Sequence, residues 1–322
     1  MILLRALFEN TKQYDELSEW EFVQTIMREK YIHNMYETKD IIANKEIYET
    51  IAVQNETGNF QRQILSENIA FIQCLIRASN ETTDIMDKIR LSLVAYCYII
   101  EMKYWQEIVA NLLWIQLGYT FYIDPFAKSV LEHNLDKQEQ KELKGILKIK
   151  EFDTFNNTEK RIKTLCFLCK KAKLFPMAEY IDFFYNNHLR NSFYHSKYIF
   201  DQNGYIGFDR KNTVKFDINE LGLKIDKCIF FYQNLMTLID ESRASYKKTT
   251  KIKGRRIDYK NNNIHDKCDL ADIILIANNR MGIVQTMITV GGKNAKKDSE
   301  NFINSYIKFS EDYDLHMNNN IW

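Results

Sequence analysis

Arg190, Asn191 and His195 lie within one short stretch, Leu189-Arg190-Asn191-Ser192-Phe193-Tyr194-His195. Histidine titrates near neutral pH and can take or give a proton during a reaction. Arginine presents a planar fork that donates to two oxygens of a phosphate at once. Asn191 stands four residues before His195, one turn away on the same helix face, where it can hold the ring or the phosphate. Cleaving a ribose–phosphate backbone without metal needs a base for the 2′-hydroxyl, an acid for the departing 5′-oxygen and positive charge on the phosphate. These three side chains are of the right types. Arg28 and His33 repeat the Arg-to-His spacing, but Glu29 follows the arginine and would repel a phosphate, so that pair is set aside.

The element that must present these groups is a helix starting at Phe175-Pro176, since proline suits the first helical turn. Continued to His195 at about 100° per residue, it lines up Met177, Ile181, Phe184, His188 and His195. The face is apolar first and polar at its end. A buried polar group left unpaired costs roughly 1–3 kcal/mol, so the end of this stripe is either a satisfied hydrogen-bond cluster or a site. Arg190 falls about 140° from His195 on an ideal helix. Their convergence would need a distorted helix end, the full reach of the arginine, or a second copy of the motif across a two-fold axis.

The Arg190-Asn191-x3-His195 pattern resembles the active-site signature of HEPN-domain ribonucleases. Those domains are helical bundles in which the motif ends one helix and a short connection leads to another long amphipathic helix. Residues 198–208, read as a hairpin with a turn at Asp201-Gln202-Asn203-Gly204, and the helix opened by Asp217 and Glu220 follow that order. The resemblance covers about residues 60–245 and not the termini. Some toxin members place a tyrosine two residues after the histidine; here Tyr198 is three residues on. The resemblance implies a metal-independent endoribonuclease that leaves a 2′,3′-cyclic phosphate and a 5′-hydroxyl. It would need no cofactor and would act on RNA as a homodimer, in phage defence, abortive infection or a toxin–antitoxin system, where an antitoxin or defence-system protein is a further partner. Arg190 would clamp the phosphate, Asn191 would position it, and His195 would be base or acid. The alternative is a catalytically silent HEPN-type binding or dimerisation module; a helical scaffold with a chance motif is a third reading.

Composition agrees with a mainly α protein. Two prolines, 10 glycines and 13% aromatic residues in 322 favour long helices over a sandwich or barrel. Lys plus Arg number 44 against 43 Asp plus Glu, so a polyanion would have to meet a local patch. That patch is expected in residues 247–260, read as a basic linker or arm, with Lys251, Lys253, Arg255 and Arg256 touching RNA. The expected organisation is an N-terminal helical extension over 1–59, the helical bundle over 60–246, and the linker with a small C-terminal region over 247–322. Helices are expected over 60–78, from a cap at Asn80, from Asp136 and Asn156 with acids three residues on, and over 299–309. The apolar runs 270–277 and 283–290 fit strand or helix.

Other reactive side chains carry less. Cys166 and Cys169 sit mid-helix with no second ligand pair, which favours buried thiols over zinc. His265-Asp266-Lys267-Cys268 has metal-capable groups in a polar segment, and no metal is assigned to it. The apolar start at Met1 lacks a basic leader, and no run approaches the about 18 apolar residues of a membrane span; a cytoplasmic protein is expected. Nucleotide-loop, serine-elbow and zinc-protease motifs are absent from the sequence.

Overall fold

A computed structural model describes residues 2–15, 18–26, 38–42, 45–49, 56–122, 124–152, 157–202, 204–210, 212–246, 250–255, 270–278 and 282–289. Among these the chain is mainly α-helical. In order, the elements are α1 (Ile2–Lys12), α2 (Ser18–Ile26), β1 (Thr38–Ile42), β2 (Lys45–Glu49), α3 (Glu56–Glu81), α4 (Ile85–Glu101), α5 (Lys103–Gln116) and α6 (Lys128–Asn134). They continue with α7 (Lys137–Leu147), α8 (Thr158–Lys171), α9 (Phe175–Phe184), α10 (Asn187–Tyr194), β3 (Tyr198–Asp201), β4 (Gly204–Asp209), β5 (Asn212–Phe216), α11 (Ile218–Ala244), β6 (Thr250–Arg255), β7 (Leu270–Asn278) and β8 (Gly282–Thr289).

Two compact units form. The first contains residues 1–11 and 63–238, the second 12–62 and 239–322. Residues 12–62 share the second unit with the C-terminal region. Side chains explain this: Arg243 Nε donates to the Ile26 carbonyl at 2.8 Å, and the Tyr246 hydroxyl donates to Glu19 at 3.0 Å. Residues 250–255 also depart from a linker. Ile252 is buried and Lys253 exposed, and this alternation suits β6, the edge of the antiparallel sheet β6-β7-β8. Lysine on an edge strand discourages pairing with other chains.

The core of the first unit is built around α5, where every residue from Tyr104 to Ile115 is buried. Its buried Asn111 is satisfied, bonding both the carbonyl and the N–H of Tyr122, at 2.9 and 2.7 Å. The apolar periodicity that follows Asn80 and continues to Gly118 fits one long helix or two with a bend. The chain breaks at Met102, whose extended backbone frees carbonyls that Trp105 Nε1 and Gln106 Nε2 take up at 2.6 and 2.7 Å from Ile99 and Ile100. Such substitution is what allows a helix end to be buried.

Caps set the remaining boundaries. Asp136 and Glu139 form the expected capping box on α7. For α8 the cap is Asn157 and not Asn156, and for α4 it is Asp84 and not Asn80, because α3 runs on to Glu81. Asp217 caps α11 through the N–H groups of Asn219 and Glu220 at 2.8 and 2.9 Å. Periodicity predicts one face of α11 through Ile218, Leu221, Ile225, Cys228, Tyr232, Leu235 and Ile239; all but the partly exposed Ile218 are buried. The segment 299–309 and the pairs Arg28–His33 and His265–Cys268 lie outside the described residues. Among the described residues no helix is long and apolar enough to cross a membrane.

Candidate active site

The expected single helix over 176–195 is two. Residue Phe184 ends α9, Tyr185 and Asn186 are extended, and the Asn186 side chain accepts from the Leu189 N–H at 2.8 Å to start α10. Tyr96 pins the break: its buried hydroxyl donates to the Phe184 carbonyl at 2.9 Å and accepts from the Asn186 N–H at 3.1 Å. The apolar stripe through Met177, Ile181 and Phe184 therefore does not run on into His188 and His195. Asparagine favours caps because its short side chain competes for backbone groups. The Asn186-Asn187 pair was the overlooked signal.

Within α10, Ser192 is fully buried. Its hydroxyl donates back to the His188 carbonyl at 2.7 Å and also meets the Tyr205 hydroxyl at 2.8 Å, which ties α10 to β4. The close approach needs Gly207, where an added Cβ would stand 2.2 Å from Ser192 Oγ. Tyr198 stacks between Phe193 and Tyr205 at centroid distances of 5.1 and 5.4 Å. The strands β3-β4-β5 form an antiparallel sheet; β5 was not anticipated from sequence.

Arg190 is half-buried and its guanidinium is engaged. Nε and Nη2 contact the Glu101 carboxylate at the end of α4, and Nη1 donates to Asn191 Oδ1. Asn191 Nδ2 donates to Asp209 Oδ2 at 3.1 Å, and His188 Nδ1 lies 2.8 Å from the same oxygen. On the far side, Glu101 Oε2 accepts from the Thr158 hydroxyl at 2.8 Å, and Arg161 Nη2 donates to that hydroxyl oxygen at 3.0 Å. One polar chain thus runs from α8 through α4 and α10 to β4. Sequence reasoning found Arg190 and Asn191 in it and placed His188 at the polar end of the stripe. It missed Glu101, Asp209, Thr158 and Arg161.

Two of these carried a legible signal. Glu101 follows the buried Leu93 and Cys97 by eight and four residues, on their face of α4. Asp209 continues the inward alternation of Tyr205 and Gly207 on β4. A carboxylate at the end of an apolar stripe needs partners, and here it has them.

The local charges follow from this wiring. Burial by itself would raise the Asp209 carboxyl, but hydrogen bonds from Asn191 and His188 and the nearby charges of His188 and Arg210 hold it below the ordinary aspartate value. Burial pushes the Cys97 thiol up to about 12, against the opposing pull of Arg190. Burial likewise depresses Arg161, which Glu101, Glu107 and Asp124 oppose.

His195 stands apart from this network. It caps α10, exposed to solvent, and its N–H donates to the Asn191 carbonyl at 3.0 Å. The chain then reverses through Ser196 at φ 52°, with Lys197 N–H returning to the Ser192 carbonyl at 2.8 Å, a left-handed helix stop. No hydrogen bond joins His195 to Arg190. Of the basic candidates, Lys253 is exposed on β6; the side chains of Lys251 and Arg255, and all of Arg256, lie outside the described residues.

Cys166 and Cys169 are thiols whose pKa is raised chiefly by burial, in Cys166 to about 12. Among the described residues no group of three or more His, Cys, Asp or Glu is placed to hold a metal ion. Two hollows in the first unit, about 360 and 610 Å³, open between α3 and α11, the larger also bordered by α4, and contain none of the motif residues. No family model matches the sequence, and no match was found among curated proteins or among solved structures.

Proposed function

We propose that this chain is a metal-independent endoribonuclease of HEPN type, working as a homodimer on RNA. The observation that carries the reading is the concentration of Arg190, Asn191, His188 and His195 on one eight-residue helix and its cap, braced by carboxylates from two other elements. Three of the five guanidinium donors of Arg190 face Glu101 and Asn191, which leaves two for phosphate oxygens. His195, exposed at the end of α10, is available for proton transfer to the 5′-oxygen or from the 2′-hydroxyl. The order of motif helix, short sheet and long helix supports a HEPN-like bundle. A partner copy would supply the second motif that Arg190 and His195, diverging on one helix, call for. Lys251, Lys253, Arg255 and Arg256 would bind RNA through its phosphates. A role in phage defence or as a toxin, with an antitoxin or defence-system partner, follows from the same resemblance.

The test is digestion of RNA with and without EDTA, followed by end-group analysis. Cleavage that survives EDTA and leaves a 2′,3′-cyclic phosphate is expected. His195→Ala should abolish it, Arg190→Lys should impair it severely because an ammonium lacks the fork, and Arg28→Ala with His33→Ala should leave it intact. Excess inactive double mutant should poison wild type through mixed dimers. Cleavage by His195→Ala protein at the wild-type rate would overturn the assignment. The occupation of Arg190 by Glu101 favours one other reading, a silent module that dimerises without cutting; wild-type protein that forms dimers but leaves RNA whole would establish it.

A further inference from the structure

The ring of His188 is two-fifths exposed, its Nδ1 sits 2.8 Å from Asp209 Oδ2, and its Nε2 has no partner among the described residues. Asp209 itself is nearly buried and also accepts from Asn191. A carboxylate held ionised has only lone pairs to offer, so Nδ1 carries the hydrogen and a neutral His188 exposes a bare Nε2. That arrangement, an imidazole oriented by a buried acid with its free nitrogen facing outward, is the form in which histidine serves as a general base, because the acid also stabilises the imidazolium once it forms. His188, Asn191 and His195 stand at i, i+3 and i+7, so α10 puts all three on one face with the amide between the two rings.

We infer that His188 is the second proton-transfer residue of the site, acting as general base through Nε2, with Asp209 as its positioning residue and His195 as the general acid. The inference rests on the ribonuclease reading above and extends it. In the step, Nε2 of His188 removes the 2′-hydroxyl proton while the 2′-oxygen attacks phosphorus. The bond from phosphorus to the 5′-oxygen breaks, and protonated His195 gives its proton to that oxygen. The products are a 2′,3′-cyclic phosphate and a 5′-hydroxyl, with His188 protonated and His195 neutral, and solvent exchange resets both. The charged groups near the dyad are Asp209 of β4, Arg210 just after it, Arg190 from α10, and Glu101 from α4 behind Arg190.

His188→Asn separates structure from chemistry, because the amide nitrogen of asparagine can still donate to Asp209 while nothing replaces Nε2. Cleavage of a defined single-strand RNA by the full-length protein should fall about 10²–10⁴-fold, the ordinary worth of general catalysis, with KM and melting temperature unchanged. The ascending, low-pH limb of the kcat/KM profile should vanish in His188→Asn, and the descending limb in any residual activity of His195→Ala. Nitrogen-15 spectra of the imidazoles should show neutral His188 as the Nδ1–H tautomer in wild type, and a mixed population in Asp209→Asn. A His188→Asn enzyme as fast as wild type, or one that is slow but keeps the full bell-shaped profile, would overturn the role while the ribonuclease reading stands. Wild-type protein inert on RNA would remove both.

Discussion

Gly207 offers the sharpest structural test, because the same substitution should have opposite signs at different glycines. An alanine Cβ at 207 would stand 2.2 Å from Ser192 Oγ and 2.8 Å from both Ser192 Cβ and Tyr205 Cε1. Ordinary carbon contacts are about 3.5–4.0 Å, so β4 must retreat from α10 by about an ångström. Overpacking of that kind costs about 1–3 kcal/mol. The 2.8 Å Ser192–Tyr205 bond would be lost as well, for about 0.5–1.5 kcal/mol. Reduced freedom of the unfolded chain returns about 0.4–1 kcal/mol, leaving a net loss centred on about 2 kcal/mol. In urea, with a slope of about 2 kcal/mol per molar, the midpoint should fall by about 1 M with the slope unchanged. Gly145 in α7 and Gly222 in α11 have nothing within 4 Å of an added Cβ, so alanine there should raise the midpoint, by up to about 1 kcal/mol in a helix interior. Should Gly207→Ala unfold at or above the wild-type midpoint, the tight α10–β4 contact does not exist, and the placement of Asp209 against His188 loses its support.

Tyr96→Phe removes one hydroxyl that serves both sides of the α9–α10 break; leaving those buried backbone groups unpaired should cost about 1–3 kcal/mol in denaturant unfolding, and a loss under 0.5 kcal/mol would argue against the break. Asp209 is held below its ordinary value in the folded chain, so its ionised form adds stability above the unfolded aspartate pKa of about 3.9 and loses it as pH falls through the folded value. Asp209→Asn should therefore melt below wild type at pH 7 and converge with it on acidification, whereas a gap independent of pH would contradict the depressed carboxyl. Iodoacetamide at pH 8 should label the exposed Cys74 well before Cys97, Cys169 and Cys228, whose burial hides the sulfur and raises the thiol pKa; rapid labelling of native Cys97 would refute the packing around Arg190.

Local chemistry was legible without the fold. Helical periodicity and few breakers gave the mainly α class, the Asp136 and Asp217 caps, Pro176 at the start of α9, and the buried face of α11. Each of these depends on interactions within about one turn of the chain, which residue order alone specifies. The motif residues were legible too, as types at a spacing. Their partners were not. Glu101 lies 89 residues from Arg190, Asp209 lies 21 from His188, and Tyr96 lies 88 from Phe184 and 90 from Asn186. Nothing local fixes those pairings; they arise because α4, α10 and β4 pack together and buried polar groups must find donors or acceptors there. The break at Asn186 belongs to both levels, since the cap is local but the Tyr96 hydroxyl that satisfies the opened backbone comes from another helix. The pairing of residues 12–62 with 239–322 and the incorporation of 250–255 into a sheet are wholly tertiary. A strand's alternation says which face is buried, but only the assembled chain supplies the neighbour that buries it.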